Sequence, residues 1–247
     1  MGMQADGKVV LVTGANRGIG LAIVEEALRR GAKKVYAAVR RIETARPLVE
    51  QHGNVVVPLH VDLQQPETIA SAAEHASDVD IVVNNAGVLK PKSALEADAV
   101  DTLEFEMSVN VYGLMRVARA FAPILKANGG GALVQLNSVA SLLSFPDFAT
   151  YCASKAASYS ITQALYHTLK NQQTQVLSVH PGPIATDMAR EAGFEQTSAG
   201  PEVVAKALFD ALAEGQFLLF PDPFAQQIGA AYEGFAHNVV IPGVGEG

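Results

Sequence analysis

The fold class predicted by this sequence is α/β, a doubly wound parallel sheet with helices on both faces. Three observations predict it. Short apolar runs alternate with helix-patterned segments nearly to the C-terminus. The apolar runs are continuous rather than alternating, as expected of strands covered on both sides. The first run ends in a glycine-rich turn that opens a helix.

The elements follow in order. "KVVLVTG" (8–14) reads as the first strand, and "GIGLAIVEEALRRGA" (18–32) as a helix stopped by glycine. "KVYAAVR" (34–40) is the second strand, and "IETARPLVEQHG" (42–53) a helical or irregular link. "VVVPLHVDL" (55–63) is the third strand. The helix "PETIASAAEHA" (66–76) follows, with Pro66 suited to its first turn. "VDIVVNNAG" (79–87) is the fourth strand, and a long helical region covers Asp98 to Ala127. "GALVQLNSVAS" (131–141) is the fifth strand. A helix opening at "YCASK" (151–155) comes next, with Ala156, Ile161, Ala164, Leu165 and Leu169 at three- and four-residue steps. "TQVLSVHPGPIATD" (174–187) holds the sixth strand, "PEVVAKALFDALAEG" (201–215) a helix and "QFLLFP" (216–221) the seventh strand. Repeated βα units imply right-handed crossovers. The C-terminal stretch from Phe220 carries prolines, aromatics and a glycine-rich tail, and no element is assigned to it.

The 247 residues suit one large domain, 1–247, with no linker or repeat. At 49% hydrophobic and 17% charged, the chain can bury a sizeable core, which excludes global disorder. A net charge of −7 argues against broad nucleic-acid binding, which wants a basic face. Cys152 is the sole cysteine, so no intrachain disulfide forms and a reducing compartment suits the chain. "MGMQADGK" lacks the apolar run of a signal peptide, and no stretch is long and apolar enough to span a membrane. A cytoplasmic protein without nucleic-acid or membrane partners is expected.

"TGANRGIG" (13–20) joins the first strand to the first helix. Gly14, Gly18 and Gly20 let the backbone turn tightly and approach a pyrophosphate, and the helix start offers free N–H groups and a positive dipole end. Asn16, Arg17 and Ile19 complete this candidate cofactor loop. Asp62 and Leu63 end the third strand; Asp62 can accept a hydrogen bond from an adenine amino group or cap the next helix. "NNAG" (84–87) ends the fourth. Asn84, Ala86 and Gly87 are candidate ligand contacts there, although the motif alone can be a turn.

Tyr151 and Lys155 lie one turn apart on the same helical face. They read either as an exposed phenol beside a solvated ammonium or as a tyrosine able to move protons. With "TGANRGIG", "NNAG", Asn110 in "SVNVYG", Ser138 in "LNSVAS" and "HPGPIATD", the "YCASK" segment resembles the short-chain dehydrogenase/reductase family from Val9 to about Asp187. Order and spacing agree, including the thirteen-residue step from Ser138 to Tyr151.

The resemblance implies a Rossmann domain with a seven-stranded parallel sheet of order 3-2-1-4-5-6-7. It implies a carbonyl reductase or alcohol dehydrogenase in which Tyr151 donates or accepts the proton and Ser138 hydrogen-bonds the same oxygen. Lys155 would bind the nicotinamide ribose and, with the oxidised ring, lower a phenol pKa that is ordinarily ~10. Asn110 would help hold a water that feeds protons to the lysine; a surface polar residue is the alternative. Pro181 and Gly182 would shape a turn, the Ile184 backbone would bond the carboxamide, and Thr186 would cap it. His180 reads as structural and Cys152 as packing.

NAD-preferring relatives usually carry an acid at the end of the second strand; here Val39 stands there, followed by Arg40 and Arg41. Arg40 and Arg17 therefore imply a 2′-phosphate clamp and NADP(H) as cofactor. The resemblance implies that the segments after Ser138 and after Thr186 flank the reacting centre, the second as a lid over about 187–200; their Leu142, Phe145, Phe148, Met188 and Phe194 then predict an apolar pocket. Core packing is the alternative for these side chains, and Arg190 is the lone cation among them. A small apolar carbonyl or alcohol substrate is expected, with no metal. The resemblance implies a homodimer through the helices of Asn110 and Tyr151, or a homotetramer, although the C-terminal segment departs from the usual family ending. A non-catalytic NADP(H)-sensing regulatory protein and an epimerase or dehydratase of the same fold compete. The complete set of Asn110, Ser138, Tyr151 and Lys155 argues against the first. The short chain and the glycine spacing argue against the second.

Overall fold

A computed structural model describes residues 2–193 and 199–242. Its strands are β1 (Val9–Thr13), β2 (Lys34–Val39), β3 (Val56–His60), β4 (Ile81–Asn84), β5 (Ala132–Leu136), β6 (Gln175–Val179) and β7 (Leu218–Leu219). They form one parallel sheet of order β3-β2-β1-β4-β5-β6-β7, as expected. The order reverses between β1 and β4, which opens the crevice where such sheets bind ligands.

Alternate strand residues feed two cores. Val10, Val12, Ala37, Val83 and Leu177 meet α1 (Gly18–Arg29), α2 (Arg46–His52) and α8 (Pro201–Glu214) through Ile23, Val24, Leu48, Leu208 and Phe209. Val9, Leu11, Val82, Leu133 and Val176 meet α3 (Pro66–His75), α5 (Leu114–Ala127) and α6 (Ala149–Lys170) through Ile69, Phe121, Leu125 and Tyr159. A strand whose two faces are both covered has no polar side to show, so its sequence reads as one apolar run.

Both sheet edges are blunt. β3 carries Pro58, in register with Ala37 of β2, and proline has no N–H to offer a further strand. β7 pairs only Leu218 and Leu219 with β6, which is shorter than "QFLLFP" suggests. Phe217 turns into the core instead, and Phe220 stacks on His180 at 5.2 Å.

The helices also differ from expectation. The region from Asp98 to Ala127 comprises α4 (Ala99–Met107), a π-helical turn at Ser108–Gly113 and α5. "IETARPLVEQHG" forms a 3₁₀ turn, Ile42–Ala45, and then α2. The unassigned C-terminal stretch contains α9 (Pro223–Phe235) and a second π-helical turn, Ala236–Val240. It packs on α6, where the Tyr159 and Tyr232 hydroxyls meet at 3.2 Å and His167 Nε2 lies 3.1 Å from the Val240 carbonyl. The lid expected over 187–200 begins with α7 (Asp187–Glu191), but residues 194–198, Phe194 included, lie outside the described residues. No helix among the described residues is long and apolar enough to cross a membrane.

Candidate active site

The glycine loop is built for close approach. Gly14 and Gly18 have φ of +66° and +53°, values that side chains resist. A Cβ on Gly20 would lie 2.1 Å from the Gly14 carbonyl oxygen, so only glycine fits. Arg17 is the N-cap of α1 and makes no side-chain cap, which leaves the first N–H groups and the positive dipole end facing the loop. A pyrophosphate fits this cradle. Ile19 packs on the core, while Asn16, Arg17 and Thr186 line a cleft of about 730 Å³ that runs along α1 beside the loop.

Thr13 ties β4 to this loop. Its hydroxyl accepts the backbone N–H of Asn85 and of Ala86, each at 3.0 Å, and Asn85 Nδ2 donates to the Thr13 carbonyl at 2.8 Å. The Asn84 side chain is buried, donates to Gln135 Oε1 at 2.9 Å and meets the Thr13 hydroxyl at 3.4 Å, so it is engaged inside the sheet. Asp62 does not cap α3, whose N-cap is Gln65. Its Oδ1 accepts the Gln64 N–H at 3.0 Å, forming an Asx turn, and its Oδ2 accepts from the side-chain Nε2 of Gln65 at 3.1 Å. Leu63 is buried against Gly113, and its carbonyl accepts from Arg116 at 2.7 Å.

Ser138 follows β5 and caps the 3₁₀ turn Val139–Ser141. Its hydroxyl accepts the Ala140 N–H at 3.1 Å and lies 3.4 Å from the Pro181 carbonyl. Tyr151 and Lys155, on α6, are 9% and 6% exposed, which overturns the reading of a solvated pair. Lys155 Nζ donates to the Leu136 carbonyl at 2.9 Å and stands 5.7 Å from the centre of the Tyr151 ring. Burial pushes the Tyr151 phenol up, against the pull of the Ser138 hydroxyl, and the charges of Cys152 and Glu106 add to the rise. Without the nicotinamide ring beside it, burial outweighs the lowering expected from Lys155 together with that ring. Burial also pushes Lys155 down to about 8, opposed by the Glu106 carboxylate.

Asn110 sits in the π-helical turn at 3% exposure and is no surface residue. Its Oδ1 accepts the Val88 N–H, and its Nδ2 donates to the Val88 carbonyl and to Ser154 Oγ, all at 2.9 Å. The side chain staples the segment after "NNAG" to α6. Gly87 lies between: a Cβ there would be 3.1 Å from Asn110 Oδ1 and 3.7 Å from Lys155 Nζ. His180 is fully buried between the Ser178 and Ser141 hydroxyls, at 2.8 and 2.9 Å. Burial pushes it down to about 4, so it is a neutral structural residue, as expected. Cys152 is buried and accepts the Phe145 N–H at 3.4 Å.

Phe145 and Phe148 pack with Leu89 against Tyr151 and Cys152. Leu142 is partly buried and packs on the core that α3, α5 and α6 cover, rather than on the Tyr151 cluster. Met188 is half-buried on α7. Asp187 pairs with Arg17 at 3.2 Å and with Arg190 at 3.1 Å. Thr186 caps α7 through the Ala189 N–H at 3.3 Å, and Ile184 is buried, bridging to Ala199. Val39 is buried and Arg40 exposed where β2 ends.

Sequence reasoning missed Glu106 and Asp222. Glu106, on α4, is fully buried: Oε1 accepts the Lys90 N–H at 2.8 Å, while Oε2 and the Thr150 hydroxyl lack any hydrogen-bond partner. Its position four residues before Asn110, on the same face, was the available signal. For Asp222 it was the Asp-Pro pair that opens α9.

The family described as short chain dehydrogenase matches residues 8–197. A probable galactose dehydrogenase of Rhizobium meliloti is 32% identical over 76% of this chain and 76% of its own length. An NADP-dependent 3-hydroxy acid dehydrogenase of Schizosaccharomyces pombe is 28% identical over 96% of this chain and 97% of its own. A solved short chain dehydrogenase from Burkholderia cenocepacia J2315, in complex with NADP, superposes with a TM-score of 0.87 at 35% identity. The match covers 95% of this chain and 98% of that one.

Proposed function

The chain belongs to the short-chain dehydrogenase family, and from that premise we propose that it is an NADPH-dependent oxidoreductase reducing an apolar ketone or aldehyde to its alcohol, and the reverse. The observation that carries this reading is the buried Tyr151–Lys155 pair beside Ser138, at the sheet end that also carries the glycine loop.

The nicotinamide, when bound, supplies or takes the hydride. Gly14, Gly18 and the start of α1 hold the pyrophosphate. Lys155 binds the ribose hydroxyls as an ammonium below about pH 8. Tyr151 gives its proton to the carbonyl oxygen, or takes one from the alcohol, and Ser138 orients that oxygen. Asn110 keeps Gly87 and Ser154 in place around the lysine.

The missing acid at Val39, with Arg17 and Arg40 nearby, supports NADP(H). So do the NADP in the Burkholderia protein and the NADP dependence of the yeast relative. Arg17 is tied to Asp187 only by an exposed ion pair, worth about 0–1 kcal/mol, so a 2′-phosphate can take it over. Phe145, Phe148 and Met188 support an apolar substrate, although the two named relatives act on a sugar and a hydroxy acid. Exposed Tyr112 and Met115 support self-association through the helices around Asn110, and the lone thiol supports a cytoplasmic setting.

The test is NADPH absorbance decay with aryl ketones, aldehydes, quinones and short keto acids. We expect bulky apolar carbonyls to lead in kcat/KM; a clear keto-acid preference would sink the substrate assignment. Tyr151→Phe should abolish turnover and leave NADPH binding near wild type. Substantial residual reduction would refute Tyr151 as the proton donor.

A further inference from the structure

Asp222 lies just past β7, is 2% exposed and has no part in the scheme above. Its Oδ1 accepts the Ala225 N–H at 3.0 Å and so caps α9. Its Oδ2 accepts the Gly182 N–H at 2.7 Å, forty residues away in sequence. That second bond is short and charge-assisted. Gly182 shares a turn with Pro181, and Pro181 is tied to the catalytic serine: its carbonyl accepts the Val139 N–H at 3.0 Å and lies 3.4 Å from the Ser138 hydroxyl. The turn has no slack, since a Cβ on Gly182 would lie 2.7 Å from Asp222 Oδ1 and 2.9 Å from Phe224 Cδ1.

We infer that Asp222 is a positioning residue of the reaction centre: by holding the Gly182 N–H it fixes the Pro181–Gly182 turn against which Ser138 is set. The C-terminal helix is thereby a working part of the site. This rests on the oxidoreductase reading above. Capping alone needs a single acceptor, and serine, threonine or asparagine supplies it. Here each of the two N–H groups has a carboxylate oxygen of its own, an arrangement that one short hydroxyl does not reproduce.

Asp222→Ser separates the two bonds, because serine can cap α9 but is too short to hold Gly182 as well. Asp222→Asn keeps the shape and turns an amide NH₂ toward one of the two donors. The measurements, on the full chain, are the thermal midpoint, NADPH affinity by titration calorimetry, and kcat and KM for the best carbonyl substrate. We expect Asp222→Ser to melt close to wild type, to bind NADPH several-fold more weakly and to lose about tenfold in kcat/KM, chiefly in kcat. Asp222→Asn should show the same pattern, and it decides the matter if the serine variant does not fold. Variants that lose only thermal stability, with kcat and NADPH affinity unchanged, overturn the inference. If wild type binds NADPH but reduces no carbonyl, the oxidoreductase reading fails, and NADPH affinity alone then decides the role of Asp222.

Discussion

Replacing Glu106 with glutamine should stabilise the protein and narrow its active pH range at the same time. The carboxylate is fully buried, yet only Oε1 has a partner, the Lys90 N–H. Glutamine keeps that acceptor, and its amide can donate to the Thr150 hydroxyl, which is also unpartnered. An unsatisfied buried polar atom costs about 1–3 kcal/mol, so a gain of about 1–2 kcal/mol at neutral pH is expected. In a chain of this length that is a Tm rise of about 3–6 °C. The sign depends on pH. Burial raises the Glu106 pKa, against the Lys90 N–H and the charges of Lys90 and Lys155; the Thr150 hydroxyl pulls the same way from nearby but completes no hydrogen bond. The folded state therefore holds the proton longer than the unfolded state, and wild-type stability falls as pH rises through the interval above the unfolded value. The variant lacks that slope, so its advantage should disappear below the ordinary carboxyl range. The same carboxylate opposes the downward push on Lys155 and disfavours ionisation of Tyr151. Without it Lys155 should deprotonate below about 8, moving the alkaline limit of NADPH binding and turnover down. Melts at acid and neutral pH, with turnover across the neutral and alkaline range, test both halves. A variant that is less stable than wild type at neutral pH, or stabilised equally at both, refutes Oε2 as an uncompensated buried acceptor.

Two further outcomes are expected. Wild type should prefer NADPH over NADH by roughly two orders of magnitude in kcat/KM, and Arg17→Ala with Arg40→Ala should erase most of that through KM; equal use of both cofactors by wild type would exclude the clamp. KM for NADPH should climb as pH passes about 8, where Lys155 loses its proton, and a flat profile would show that the ammonium is not what holds the ribose.

The alternation of strands and helices, the glycine loop and the Tyr151–Lys155 pair were legible because each depends on local pattern, whereas the sheet order came from the family resemblance. Continuous apolar runs announce covered strands, and residues four apart on a helix must share a face. What escaped depends on packing across the chain. The π-helical turn that tucks Asn110 inward, next to Val88 and Ser154, has the same residue types as ordinary helix. Asn84 and Asp62 stand at the right strand ends, but only the fold reveals that Gln135 and the Gln64–Gln65 turn engage their side chains. For Tyr151, adjacency to a lysine can be read from sequence, whereas the depth of burial that pushes its phenol up cannot. α9 was hidden by its two glycines and by the prolines around its start, although Asp222 and Pro223 are a sound helix start.

The blunt sheet edges have a consequence for the chain while it is being made. In the finished protein a further strand finds Pro58 without a donor on one side and two paired residues on the other, a poor template for fibrillar growth. During synthesis that protection is incomplete. Until Leu218 and Leu219 leave the ribosome, β6 is the exposed rim, a five-residue run whose last four residues are destined for burial. Between the emergence of β6 and that of β7 a nascent chain therefore stays open to pairing with a neighbour on the same message, and a pause there would favour aggregation more than a pause after β7.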